Sequence, residues 1–365
     1  MWQRRAFLRA AGAGFAATLL PRRVEALERS ELVFASAIQK RAGGYAAALV
    51  SERGALIASI NLPERGHDIA VSPATGQAVV FARQPGTFAL VFDPGGAVAP
   101  RTLASSEGRH FFGHGAFSPD GRLLYATEND FEVARGVIGI YDVAGGYARI
   151  SEFDTFGTGP HEMLLLPDGE TLVVANGGIE THPDYGRAEL NLATMDPSLA
   201  FIDRRSGDLV GQLRLDADLH QLSIRHLAVD HRDRVWFGCQ FRGPAADRPQ
   251  LVGYATRDGD IRLVELPAGP LAALRNYIGS VAVSADGRLV GVSSPEGNTI
   301  LALDPDTGAV VATLGLENGC GIAPDRAGLL ASSGTGHLAG LAGSAAPPTT
   351  FELNFDNHLR RLKPV

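Results

Sequence analysis

The chain has 365 residues, a net charge of −7 with acidic and basic groups interspersed, and 45% apolar residues. That balance leaves no basic stripe for nucleic acid and no polybasic patch for a membrane surface. With 44 Gly and 21 Pro it has the turn-rich character of an all-β fold.

Residues 1–26 read as an export signal. Arg4-Arg5 precede Phe7-Leu8, a weakly apolar run Ala10 to Leu20 follows, and Val24-Glu25-Ala26 offers a small-residue cleavage site. This is a twin-arginine signal, with Gln3 where Ser or Thr is usual. The run is too short to span a bilayer, so a soluble protein in the bacterial periplasm is expected, with no membrane insertion after cleavage.

The mature chain is organised by a repeat. His67-Asp68-Ile69-Ala70-Val71-Ser72-Pro73, His114 to Gly121 and His161 to Gly169 each open an apolar strand with His and close it with a Pro/Asp/Gly turn, and the three histidines are 47 residues apart. His226 opens a fourth copy, Ser280 stands at that position in the fifth, and Gly319 or Cys320 in the sixth. A period in the forties built from short Val, Ile, Leu and Phe runs, without helical periodicity, indicates propeller blades of four strands.

The unit from residue 277 shows the pattern best. Its strands are expected at Val281 to Val283, Arg288 to Ser293, Thr299 to Leu303 and Ala309 to Leu314. Ahead of His67 there are only three strand-like runs, at Leu32 to Gln39, Tyr45 to Glu52 and Leu56 to Leu62. The missing one is expected at the C-terminus, because His358 and Pro364 repeat the spacing of His67 and Pro73. The fold class is therefore an all-β, seven-bladed propeller. Its single domain covers 27–365, with blades at about 27–63 plus 356–365, 64–110, 111–157, 158–222, 223–276, 277–317 and 318–355.

Inner strands of a propeller line its central channel, so a residue recurring at their starts forms a ring around one mouth. His67, His114, His161, His226 and His358 are the candidate metal ligands. Neutral imidazole suits iron, copper, zinc or nickel, while a set poor in carboxylates suits neither magnesium nor calcium. Asp68 and Glu162 stand ready to orient the rings or to complete a coordination set. His110 and His220 lie near the same mouth, and the polar insertion from Asn176 to Pro197 adds Glu180, His182 and Asp184 as a lid or a solvated loop. His110, Glu162, His182 and His220 are additional candidates. The competing arrangement has each His tying its strand to a neighbouring loop with no ion. Cys239 and Cys320 fall on different blades, and Cys239 reads as a buried strand residue.

Several segments together resemble an uncharacterised family of exported bacterial propellers: G-R-H-F-F-G-H-G-A-F-S-P-D-G-R-L-L-Y-A-T-E-N-D, G-P-H-E-M-L-L-L-P-D-G with A-N-G-G-I-E-T-H-P-D-Y-G-R after it, and the ending D-N-H-L-R-R-L. The resemblance spans the mature chain. Genes of that family accompany those for imelysin-type iron-uptake proteins and dihaem-peroxidase-like proteins, which implies periplasmic partners of those kinds and a role in iron handling. Three functions stay open: an accessory that binds iron, copper or a haem-type ligand at the His-lined mouth, an interaction scaffold with structural histidines, or a propeller enzyme of lactonase or redox type. No G-x-S-x-G elbow is present to favour a hydrolase, and no catalytic residue is assigned.

Overall fold

The computed structural model describes residues 30–96, 98–257 and 259–362, so the expected export signal lies outside the described residues. Strands account for almost all of the regular structure, in seven sheets arranged as the seven blades of a ring. Each hairpin turn has its own local chemistry. In Ser118-Pro119-Asp120-Gly121 the Ser118 hydroxyl donates to Asp120 and accepts from the Leu123 amide, and Gly121 sits at φ 70°. Ser284-Ala285-Asp286-Gly287 repeats the same bonds with Gly287 at φ 71°. An Asp or Ser oxygen that satisfies the backbone, followed by a residue free to take positive φ, makes a tight turn between two strands.

Going outward, the first blade after the N-terminal one pairs β4 (Gly66–Val71), β5 (Ala78–Ala82), β6 (Phe88–Phe92) and β7 (Arg101–Ala104). The unit read best from the sequence has β20 (Ser280–Val283), β21 (Val290–Ser294), β22 (Thr299–Leu303) and β23 (Val310–Gly315). Its middle strands are buried throughout, whereas the outermost alternates half-buried with exposed residues. Middle strands touch neighbouring blades on both faces, so they are uniformly apolar, and the rim strand keeps one face in water. The six apolar clusters lie between blades, and the largest surrounds the fully buried Trp236, whose indole donates to Asp230 at 2.8 Å.

Ring closure follows the spacing of His358. Strands β28 (Leu353–Phe355) and β29 (Arg360–Arg361) both pair antiparallel with β1 (Val33–Lys40), in the sheet order β28, β1, β2 (Tyr45–Ser51), β3 (Leu56–Leu62). The C-terminal segment is thus the inner strand of the N-terminal blade. Joining both ends of the chain in one sheet removes the free edge at which a ring would open.

Two polar stretches are ordered by their own contacts. Glu128, Asn129 and Asp130 belong to β9 (Leu123–Asp130) and Arg135 and Gly136 to β10 (Arg135–Asp142), so the polar stretch in that blade is a lengthened hairpin and not a loop. It holds its polarity inside: Glu128 is fully buried, accepting from Tyr141 at 2.5 Å and from Arg149 at 3.0 Å. The insertion after β13 (Thr171–Asn176) is closed on itself, with Asn191 bonding the Glu180 amide and the Gly178 carbonyl.

Candidate metal centre

Five inner strands deliver one histidine each to the channel, and a break in the ladder aims every one. In β4 the pairing with β5 shifts between Gly66 and Ile69, which brackets His67 and Asp68. Corresponding shifts bracket His114 in β8 (Arg109–Phe117) and His161 and Glu162 in β12 (Pro160–Leu165), while in β16 (Leu222–Val229) the shift falls on Arg225, immediately before His226, which is paired with Gly238. His358 lies in the gap between β28 and β29. Ser280, by contrast, sits in a regular ladder. A bulge inserts a residue, frees its backbone groups and turns its side chain out of the alternating pattern. The freed carbonyls are taken up by hydroxyls on second strands: Thr127 donates to the His114 and His161 carbonyls, and Ser36 donates to that of His358.

All five rings come together in the channel. In blade order the centroid separations are 4.7 Å for His358 and His67, 4.9 Å for His67 and His114, 4.6 Å for His114 and His161, and 4.8 Å for His161 and His226. His226 and His358 close the circuit at 5.1 Å. His114 lies within 6.2 Å of each of the other four. Ligand nitrogens of His67, His114 and His161, and likewise of His114, His226 and His358, lie within 4.8 Å of one another. With metal–nitrogen bonds of about 2.1 Å a ring centroid sits roughly 3.2 Å from the ion, and rings at right angles around it are about 4.6 Å apart. The centroids are thus spaced as rings around one ion are, and the nitrogens of each triad, within 4.8 Å of one another, would draw in to the roughly 4.2 Å that two such bonds span. Gly113 makes room for it, with φ at 100° and a position where a Cβ would fall 2.6 Å from the His67 ring.

Carboxylates stand behind the rings. His67 Nδ1 is 3.0 Å from Asp356, His114 Nδ1 is 2.9 Å from Asp68, and His226 Nδ1 lies 3.4 Å from Glu162 without hydrogen-bond geometry. A neutral imidazole that donates its Nδ1 hydrogen to a carboxylate presents the Nε2 lone pair, the usual state of a metal-bound His. Arg360 joins the carboxylates, donating to Asp68 at 2.6 and 2.7 Å and to Glu162 at 2.5 Å. Arg83 and Arg65 do the same for Asp356. Despite burial, which acts to raise them, these cations and imidazoles hold the Asp68, Glu162 and Asp356 carboxyls below the usual range.

What the cluster lacks is partners for its nitrogens. The buried His114 Nε2, His161 Nδ1, His358 Nε2 and both ring nitrogens of His226 have no hydrogen-bond partner among the described residues. A buried polar atom left in that state costs about 1–3 kcal/mol, so five close together form a costly arrangement. A ring that merely braced a strand would have its nitrogens engaged.

The family model described as "Protein of unknown function (DUF1513)" matches residues 60–362, a span that contains all five histidines. The chain belongs to this family. No curated protein matches it. Among solved structures, hydrazine synthase of Kuenenia stuttgartiensis superposes with a TM-score of 0.64 at 16% identity, covering 85% of this chain and 95% of the matched one. A chain of the mitotic checkpoint complex gives a TM-score of 0.55 at 13% identity, covering 79% and 76%. Both are likenesses of fold.

The other candidate histidines of the DUF1513 chain lie apart from the crown. His110 is buried within β8, with Nδ1 3.0 Å from the Phe111 carbonyl and Nε2 3.0 Å from the Asn129 amide, so neither nitrogen is free. His182 caps the short turn Pro183–Tyr185 and accepts from the Asp184 amide. His220 ends the turn Ala217–Leu219 just ahead of β16, and among the described residues it is in neither group of converging histidine nitrogens. Glu162 does join the crown, through its carboxylate. Asp356 and Arg360 were missed in the sequence, although D-N-H and the arginine pair stand in the closing segment. Cys239 and Cys320 are both free and buried.

Burial keeps His67, His161, His226 and His358 neutral. It lowers His67 to about 3, against the opposing pull of Asp356, and His226 to about 4, against Glu162. His161 and His358 are also held well below the ordinary imidazole value, chiefly by burial. Rings that stay unprotonated when folded but take up protons near pH 6.5 when unfolded make the unfolded state the larger proton binder below that pH. Stability of the metal-free protein is thus expected to be complete above about pH 6.5 and to fall steadily toward about pH 4.5. Thermal midpoints of chelator-treated protein across this window check it, and a flat profile would mean that the rings protonate without unfolding.

Proposed function

We propose that this chain binds one transition-metal ion through the imidazoles of His67, His114, His161, His226 and His358, as an exported accessory of metal handling. The observation that carries the reading is the set of buried, unpartnered ring nitrogens on His114, His161, His226 and His358, in rings whose centroids are spaced as ligands around one ion are. Five imidazoles exceed the four ligands of a structural zinc site and suit a five- or six-coordinate ion such as iron, copper or nickel. They fit a bare ion better than haem: rings 4.6–5.1 Å apart leave no slot for a macrocycle between them. Iron, the periplasm and imelysin-type or dihaem-peroxidase-like partners are supported by the twin-arginine segment and the family resemblance. The carboxylates at His67 and His114 would fix ring orientation and raise ligand basicity.

The chain expressed with its export signal, purified and loaded with copper(II), is expected to hold one ion per chain by elemental analysis. Its electron paramagnetic resonance spectrum should show hyperfine coupling to at least four nitrogens. A protein that stays folded yet retains no ion after desalting, or a spectrum dominated by oxygen ligands, would end this reading and leave a scaffold with structural histidines.

A further inference from the structure

Above the crown lies a cavity of about 300 Å³, with His67 and His161 among its lining residues. Its walls carry four guanidiniums, Arg83, Arg187, Arg225 and Arg242, each from a different segment of the chain. Arg187 comes from the long insertion, which also contributes Thr181, anchored by a 2.7 Å bond from Gln84. Two of these cations are already matched: Arg83 to Asp356 at 2.9 Å, and Arg242 to Glu189 at 3.1 Å. Arg225 is partly buried and spends its Nε on the Ser223 hydroxyl, with no carboxylate paired to it among the described residues; Arg187 likewise has none.

Guanidiniums gathered in a half-enclosed space repel one another, and the cost grows as water is excluded. The effect is visible at Arg225, which burial first and Arg242 next lower to about 10, and at Arg187, lowered by burial and by Arg83. Nothing in the blade architecture requires these cations here. Oxyanions relieve such a cluster, because the planar fork of arginine matches carboxylate and phosphate oxygens two bonds at a time.

We propose that this vestibule is a binding site for a small oxyanion, a carboxylate or phosphate, held by Arg225 and Arg187 and seated against the open face of the histidine crown. The volume limits the ligand to roughly ten water equivalents, which suits phosphate or a short dicarboxylate. In its second half the proposal rests on the metal reading: an anion oxygen would complete the coordination sphere on the side where His67 and His161 face the cavity. The arginine site itself stands without a metal.

Calorimetric titration of the full mature chain with inorganic phosphate and with malonate, at constant chloride-adjusted ionic strength, tests both halves. Metal-free protein is expected to bind one of these anions with 1:1 stoichiometry, and Arg225→Gln or Arg187→Gln to weaken it about tenfold or more, while either variant, loaded separately in anion-free buffer, still takes up one copper(II) ion. Loading with one equivalent of copper(II) is expected to tighten wild-type binding further. Preference for phosphate over malonate, or the reverse, identifies the source of the oxyanion. Affinities that ignore both arginine substitutions, or no binding of either anion, would overturn the site. Arginine-dependent binding by a chain that takes up no metal would keep the site and remove the metal reading instead.

Discussion

His114→Ala is expected to lower metal affinity by more than any other single substitution in the crown, and by more than the roughly 10–100-fold that follows loss of an orienting partner. His114 is the hub. Its ring lies 4.9, 4.6, 6.2 and 4.8 Å from those of His67, His161, His226 and His358, and it belongs to both triads of converging nitrogens. Asp68→Asn, which weakens the Nδ1 contact of that ring and one of the two carboxylate pairings of Arg360, supplies the smaller step, and His220→Ala, outside the crown, should leave affinity unchanged. In the metal-free protein the same His114→Ala change should do modest harm: it opens a cavity but also removes an Nε2 that has no partner. Competition titration against a chelator of known affinity, beside thermal melts of the apo forms, reads both quantities. If His114→Ala and His220→Ala bind metal equally well, the crown is not a ligand set.

The contrast between lost affinity and nearly retained stability separates a site from a brace. Structural histidines at a repeated position would each be bonded to a neighbouring loop, and replacing one would cost stability in proportion to those bonds. His110 shows what that looks like in this chain, with both nitrogens engaged and its ring against Phe112 and Phe131.

Much of this could be read from the sequence, because it is periodic. The 47-residue interval between His67, His114 and His161 and the Pro/Asp/Gly turns follow from the need of each blade to bury the same faces. Even the closing strand was legible, since His358 keeps the spacing of the other copies. The bulges were not: one extra residue in a ladder leaves no mark on an apolar run, yet it aims each ring. Of the carboxylate frame, Asp68 and Glu162 were legible beside His67 and His161, but Arg360, which reaches them across 292 and 198 residues, was not. Two consecutive arginines, Arg360 and Arg361, on an inner strand are unusual, and that oddity is the available signal for a buried partner. The vestibule cations come from four segments with nothing in common locally. Only Arg225, next to His226, offered a hint.

Arg360→Ala is expected to destabilise the metal-free fold by about 3–5 kcal/mol, since it strips two buried carboxylates of their shared cation. Asp68 and Glu162 are almost fully buried, and Arg360 is held far above its ordinary value, burial notwithstanding, by the two of them. For a chain of this size the melting temperature should drop by roughly 4–7 °C. The pH dependence distinguishes the cause from simple loss of packing on β29. Without the guanidinium, burial and mutual repulsion raise the folded-state value of one carboxyl above its unfolded one, so the folded variant binds the extra proton and gains stability as pH falls. The gap between variant and wild type should therefore narrow from about pH 7 to about pH 5, while Arg360→Lys keeps most of the stability at both. A gap that stays constant with pH would mean that Arg360 acts through its aliphatic stem, and that the carboxylates behind His114 and His226 are neutralised by something else.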